Sequence, residues 1–258
     1  MLKIRKLAPH GWLPDIHDDR DHPFEPVPGH ALPQRVDLRP QCPPVFDQGV
    51  RIGSCTANAV CNAFRFNLMW HSQTQGFKPS RLFLHYNARA MRGTEKANHG
   101  AQIRDAIKSL IQQGVCRESH WPYIAYKFDR KPPLSAYREA TAFESLAYKR
   151  INQDLLHMRA CLAHGHPFVC GLMLYSDFES ERMTKTGVLH LPDKKETLVG
   201  GHAVLVVGYQ ERSQRFIIMN SWGDAWGQAG YFSVPYAYLL SRHLASDFWT
   251  LRVSANGE

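Results

Sequence analysis

Apolar residues recur at two spacings along this chain, and each spacing predicts one kind of element. Through residues 54–71 the period is helical, with Ala59, Val60, Ala63 and Phe64 on one face and Gly53-Ser54 ahead of it as turn and N-cap. The alanines keep that helix slim, as suits a helix packed centrally between two halves of a fold. Residues 80–90 and 103–113 share the period, and Gly114 stands at the C′ position of the second. Beyond these the pattern changes to short, nearly continuous apolar runs. Residues 168–175, 202–209, 216–220 and 230–234 read as strands. The run from His202 ends at Gly208-Tyr209, polar residues 210–214 turn the chain, and Arg215-Phe216-Ile217-Ile218-Met219 returns. A hairpin of that length brings its outer ends together, so His202 and Asn220 are expected to be neighbours. Helices first and strands after make the fold class α+β.

Residues 1–33 depart from both patterns. Prolines at 9, 14, 23, 27 and 33 and the acidic run over 15–21 predict an extended arm ahead of a body spanning 34–258. Trp12-Leu13-Pro14-Asp15 is expected to pack on the body or across the cleft. A strap that merely braces the fold is an equally open reading.

The candidate chemistry lies in three segments. Residues 47–57 read Asp-Gln-Gly-Val-Arg-Ile-Gly-Ser-Cys-Thr-Ala, residues 200–204 read Gly-Gly-His-Ala-Val, and residues 220–223 read Asn-Ser-Trp-Gly. Together they supply a thiol, an imidazole and two side-chain amides. A thiol is mostly protonated near pH 7, but a helix N-terminus and an adjacent imidazole both favour the thiolate. Cys55 opens the first helix. The Asn220 carbonyl can accept from one ring N–H of His202 and aim the other nitrogen at the thiol, with Trp222 covering that bond. Gln48 and the Cys55 backbone N–H would donate to an oxyanion. Each residue has a plainer reading alone. A cysteine in an alanine-rich helix is ordinarily a small core residue, and Asn-Ser is ordinary turn chemistry. The joint pattern points to acyl transfer by Cys55.

These residues resemble the papain-like cysteine peptidases, family C1. The likeness rests on Gln48-Gly49, Gly53-Ser54-Cys55, His202-Ala203-Val204, Val207-Gly208-Tyr209, Asn220-Ser221-Trp222-Gly223, Trp226-Gly227 and Gly230-Tyr231-Phe232. It spans roughly residues 34–240, and His202 follows Cys55 at the distance this family shows, with Asn220 slightly further on. Gly-Ser-Cys-Thr-Ala-Asn-Ala, Gly-Trp-Leu-Pro-Asp at 11–15 and Tyr-Ala-Tyr-Leu at 236–239 resemble a bacterial branch. The resemblance implies the two-subdomain papain-like fold, with a helical left half, an antiparallel sheet or barrel as the right half and the cleft between them, and an endopeptidase working through a Cys55–His202 ion pair and a covalent acyl-enzyme. It also implies that residues 1–33, as a short propeptide or cleft-covering arm, take over part of the role of the family's helical propeptide. It also implies that Gly100 offers backbone hydrogen bonds to an extended substrate. Ala203 and Gly171 would line the pocket for the second residue before the scissile bond, leaving room for a bulky apolar side chain. The chain departs from the family pattern at Ile52, where a disulfide cysteine is usual, and at Thr56, where tryptophan is usual. Gln48 also lies one residue further from the cysteine than usual. Alternatives are a transpeptidase or amidase on the same scaffold, an exopeptidase, and a catalytically silent binding module.

Composition changes this picture little. With 44% apolar and 21% charged residues the chain is an ordinary globular protein, long enough for one or two cores. Net charge is +8, but the basic residues are scattered and Lys194-Lys195 and Arg130-Lys131 are too short to be nucleic-acid tracts. No apolar run approaches the ~20 residues that span a bilayer, and the first ten residues contain no apolar stretch of a secretory signal. The expected partner is therefore a protein or peptide substrate, without nucleic acid, membrane, metal or cofactor. A monomer is expected, in the cytoplasm or exported without a Sec-type signal. Of six cysteines, Cys55 must be free, so an odd number remains. Cys42 and Cys116, each beside a turn, are candidates to pair, and Cys61, Cys161 and Cys170 read as buried thiols.

Overall fold

The computed structural model describes residues 4–6, 11–27, 29, 31–71, 77–140 and 146–253. In chain order the strands are β1 (Trp12–Leu13), β2 (Arg35–Asp37), β3 (Ala101–Gln102), β4 (Leu146–Arg150), β5 (Phe168–Tyr175), β6 (Leu198–Gln210), β7 (Arg215–Met219), β8 (Tyr231–Pro235) and β9 (Ala245–Val253). The helices are α1 (Cys55–His71), α2 (Arg81–Ala90), α3 (Ile103–Gln113), α4 (Leu134–Ala140), α5 (Leu155–Ala163), α6 (Glu181–Thr186) and α7 (Tyr236–Leu240).

Helix α1 is buried on every side over its first ten residues, which explains its many small side chains. Its asparagines are tolerated there because they bond backward: Asn58 Nδ2 donates to Ser54 O at 2.9 Å and Asn67 Nδ2 to Ala63 O at 2.8 Å. Helices α2 and α3 pack against it and complete the helical half. Ser80 caps α2 by accepting the Phe83 N–H at 3.1 Å. Gly114 ends α3 with φ 67°, and a Cβ there would lie 1.7 Å from the Ala140 carbonyl oxygen.

The other half is an antiparallel sheet in the order β4-β9-β5-β6-β7-β8, with β2 alongside the far end of β6. Its four central predicted strands fall within a residue or two of expectation, apart from β6, which starts earlier at Leu198. Strand β9 is a partner of both β4 and β5. Helix α1 lies against β6, β9 and β5, so it is the wall between the two halves.

All six cysteines are free thiols. The expected Cys42–Cys116 pair is therefore not formed. Cys116 is buried under α2, where its carbonyl accepts the Ser80 N–H, whereas Cys42 lies beside Tyr231 on the sheet half. Cys61, Cys161 and Cys170 are buried. Among the described residues no helix is long and apolar enough to cross a membrane. Because Gly114 combines a positive φ with backbone contact, Gly114→Ala should destabilise the protein by roughly 2 kcal/mol or more, read as a lowered urea midpoint at unchanged slope.

Candidate active site

The sulfur of Cys55 accepts the Ala203 backbone N–H at 3.3 Å, which joins the first residue of α1 to strand β6. His202, one residue earlier on β6, places Nε2 2.8 Å from Asn220 Oδ1. A carbonyl oxygen can only accept, so Nε2 carries the proton and Nδ1 keeps its lone pair. Nδ1 is buried with no hydrogen-bond partner. Leu205 opposite Met219 sets the hairpin register, which leaves Asn220 just beyond the strand end and beside His202. The Trp222 ring lies 5.7 Å from the imidazole, and Phe178 packs edge-on against Trp222 at 5.0 Å. That aromatic layer shields the His202–Asn220 bond from water.

Gln48 is held by the same loop. Its backbone N–H donates to Ser221 O at 2.8 Å, and its Oε1 accepts from Ser221 Oγ at 2.6 Å. With that oxygen committed, the amide nitrogen is left as a donor. Gln48 follows Asp47, which bridges to Trp222. The loop is fixed from below by Arg81, whose guanidinium donates to Asp47 O at 3.0 Å and Asn58 Oδ1 at 3.1 Å, pairs with Glu118 at 2.8 Å, and lies 3.9 Å from the Tyr123 ring centroid. The Tyr123 hydroxyl in turn donates to Gln48 O at 2.8 Å.

The arm passes directly over this constellation. Arg5 donates to Trp222 O and to Asp47 on one side of the thiol. Gly11 sits above the sulfur: a Cβ there would lie 2.8 Å from Cys55 Sγ and 3.2 Å from Gly201 O. Thr56, in the position where the family carries tryptophan, uses its hydroxyl to bond Ala101 O at 2.9 Å and also approaches Gly11 O. Trp12 pairs in parallel with Ala101 and drives its indole into a recess on the other side. A Cβ on Gly171 would meet that ring at 2.0 Å and one on Gly201 at 2.9 Å. Cys55 and His202 are consequently 0% exposed.

Beyond Trp12 the arm is anchored by charge. Asp15 accepts from the Trp249 indole at 2.7 Å and from Arg104 N at 3.2 Å, while its own N–H donates to Asp247 Oδ2 at 2.8 Å. Arg104, itself buried, bonds Ile16 O and pairs with Asp21 at 2.6 Å. Pro23 bridges to Arg150 on the sheet edge, and Phe24 is buried there.

Burial governs the proton affinities. It pushes the Cys55 thiol up to about 11 against the lowering effect of the Ala203 N–H, and it pulls His202 down to about 4 against the Asn220 hydrogen bond. Both shifts favour the uncharged thiol and imidazole under the arm. Burial, with the Asp247 charge beside it, pushes Asp15 up to about 7, and burial raises Asp247 as well.

The structure thus brings Gln48, Cys55, His202, Asn220 and Trp222 together, with Ala203 contributing its backbone N–H to the sulfur. Gly171 lines the recess, and Gly100 immediately precedes the strand that pairs with Trp12. Sequence reasoning missed Gly11, Gly201, Ser221 and Asp247. The Gly-Trp pair at 11–12 was a signal for the first, since only glycine lets a chain cross so near a sulfur. Asp247 carried none.

The sequence profile described as papain family cysteine protease matches residues 32–239. The chain belongs to that family. Xylellain, a cysteine protease from Xylella fastidiosa, has a crystal structure that superposes with a TM-score of 0.91 at 41% identity, covering 98% of this chain and 99% of xylellain. An uncharacterized peptidase C1-like protein of Acanthamoeba polyphaga mimivirus is 42% identical over 85% of this chain and 73% of its own length. Mouse cathepsin J is 26% identical over 79% of this chain and 60% of its own length. Family membership makes the protein a cysteine-type peptidase, acting on protein or peptide substrates. The fold expected from the resemblance is the one observed, and the likeness to a bacterial member agrees with the N-terminal and Gly-Ser-Cys-Thr motifs.

The buried carboxyl pair makes arm closure pH-dependent. Asp15 binds its proton more tightly when the arm is down than when it is free, so closure is favoured in acid and weakens as pH rises from about 4 to about 7. Hydrogen-exchange protection of residues 12–16, corrected for intrinsic rates, should fall roughly tenfold or more across that range. Asp247→Asn keeps an acceptor for the Asp15 N–H, removes the repulsion, and should flatten the fall.

Proposed function

We propose that the chain is a latent cysteine endopeptidase in which residues 1–33 form an inhibitory arm over the body at 34–258. The observation that carries the chemistry is the pairing of His202 Nε2 with Asn220 while the Cys55 sulfur rests on the next residue of the same strand. With the arm withdrawn, water and substrate reach the pair and the desolvation that keeps both groups neutral is relieved. His202 Nδ1 then takes the Cys55 proton, and the helix N-terminus favours the thiolate. The thiolate attacks the scissile carbonyl. The Cys55 N–H and the Gln48 amide stabilise the oxyanion, and His202 returns the proton to the leaving amine. Water activated by His202 releases the acyl-enzyme. Asn220 holds the ring in the required tautomer throughout.

The path of the arm supports an endopeptidase over an exopeptidase. Arg5 lies at Trp222, Gly11 at the thiol, and Trp12 and Asp15 beyond it, so the chain occupies both sides of Cys55. If the Trp12 recess takes the second residue before the scissile bond, the arm runs opposite to a substrate. Its peptide groups then meet the thiol with acyl and amine sides exchanged, which explains how it fills the cleft intact.

Trp12 is the arm's largest buried anchor. Trp12→Ala should shift closure by about 3 kcal/mol, raising the rate of Cys55 alkylation by iodoacetamide roughly a hundredfold. Equal rates in the two proteins would remove the inhibitory role. In the Trp12→Ala protein, Cys55→Ala should abolish peptide cleavage, and Gln48→Ala should lower kcat by about a hundredfold while leaving alkylation nearly unchanged. Cleavage that survives loss of the thiol would refute the mechanism.

A further inference from the structure

Tyr123 stands between the two chain segments that carry the expected oxyanion donors. Its hydroxyl lies 2.8 Å from Gln48 O and 2.5 Å from Ser54 Oγ, and Ser54 immediately precedes Cys55. The direction of each hydrogen bond follows from its neighbours. A guanidinium only donates, so Arg81 faces the oxygen of the Asn58 amide, at 3.1 Å. Asn58 Nδ2 then donates to Ser54 O at 2.9 Å and to Ser54 Oγ at 3.1 Å. The Gln48 carbonyl only accepts, and it takes the single Tyr123 proton, so Ser54 Oγ donates to Tyr123 Oη. The bonds therefore all point one way, from the Arg81 charge through Asn58, Ser54 and Tyr123 to the Gln48 carbonyl. Hydrogen bonds aligned head to tail polarise one another, and Asn58 and Ser54 are buried where water does not compete. The same guanidinium lies 3.9 Å from the Tyr123 ring centroid and steadies the ring. Ser221 fixes Gln48 relative to Asn220; Tyr123 fixes it relative to Cys55.

We propose that Tyr123 is a positioning residue for the peptidase reaction: its hydroxyl sets the spacing between the Gln48 amide and the Cys55 backbone N–H, so that both donors reach one oxygen as negative charge develops on it. The inference rests on the peptidase reading above and adds a residue to it. An oxyanion site works through donors already in place, about 2.7–3.1 Å from where the charge will lie. Gln48 comes from the loop ahead of α1 and the Cys55 N–H from the start of α1 itself, so their separation has to be held by something that touches both segments. The Tyr123 hydroxyl does so with one bond given and one accepted. Its loss leaves both donors, the thiol and the His202–Asn220 pair present and releases only the spacing. The cost therefore falls on the step that forms the oxyanion, and not on substrate binding or on the reactivity of the thiol.

The test uses full-length Trp12→Ala protein with and without Tyr123→Phe, which keeps the ring on Arg81 and removes only the hydroxyl. Peptide cleavage should lose about tenfold in kcat with KM held within about twofold. Alkylation of Cys55 by iodoacetamide forms no oxyanion and should also stay within about twofold. Protection of Cys55 by a peptide aldehyde reads the donors without turnover: the sulfur bonds to the carbonyl carbon and the thiol proton passes to the carbonyl oxygen. Tyr123→Phe should weaken that protection about tenfold and leave protection by the matching peptide alcohol, which has no carbonyl, within about twofold. In the Gln48→Ala protein, where one donor is already gone, the same substitution should cost less than about threefold in kcat. Ser54→Ala cuts the link from its other end and serves as the second variant if the first does not fold; it should lower kcat and aldehyde protection with KM and alkylation held. Unchanged kcat and aldehyde protection overturn the inference, as does alkylation that falls in step with cleavage, or a loss that persists in full without Gln48. If Trp12→Ala protein cleaves no peptide while aldehyde protection still falls with Tyr123→Phe, the peptidase reading fails and the role of Tyr123 in placing the donors stands.

Discussion

Everything in this molecule depends on the contact between the start of α1 and strand β6. The thiol belongs to a helix of one half and the imidazole to a strand of the other. The seat of Cys55 Sγ on the Ala203 N–H joins them directly. That seat is rigid because the first ten residues of α1 are buried all round and β6 is hydrogen-bonded to β5 along one edge and to β7 along the other. The loops carrying Gln48 and Asn220 then lock to each other through Ser221, so two segments distant in sequence share one set of hydrogen bonds. Close packing makes such a site tolerant of changes in loop length and intolerant of changes in seat.

The loop at residues 47–54 has no cysteine, and a buried cation ties it to the helical half. Arg81 ties Asp47, Asn58 and Glu118 together and lies between the Phe46 and Tyr123 rings. Its planar group satisfies four acceptor atoms, one more than the three donors of lysine could. Ile52, buried where a cysteine is usual, fills the remaining space. The loop is thus held by electrostatics and packing, without dependence on a redox state.

The arm and the site are in direct conflict over water. Closing the cleft takes Cys55 and His202 out of solvent, and removing solvent is what drives both toward their neutral forms. On the function proposed above, occlusion acts twice, by excluding substrate and by suppressing the thiolate. The indole of Trp12 supplies apolar area, while Asp15 and Asp21 confer a specific register through Arg104, Trp249 and Arg150. The repulsion of Asp15 by Asp247 sets a limit on how tightly the arm is held.

Residue types and periodicity were enough to read the slim central helix, the His202–Asn220 hairpin and the four polar groups of the site. These features are local: helical period, strand runs and the length of one turn decide them. The prolines likewise announced an extended arm. The short strand Trp12–Leu13, the place of β9 between β4 and β5, and the separation of Cys42 from Cys116 were decided only in the folded chain. So was the contact of Asp247 with the arm. Each depends on which distant surfaces meet, and that is set by packing over hundreds of residues rather than by any pattern within a short window. Sequence alone determined the parts of a thiol acyl-transfer site; tertiary structure decided that the site is covered and by what, because burial and long-range contact are properties of the assembled fold.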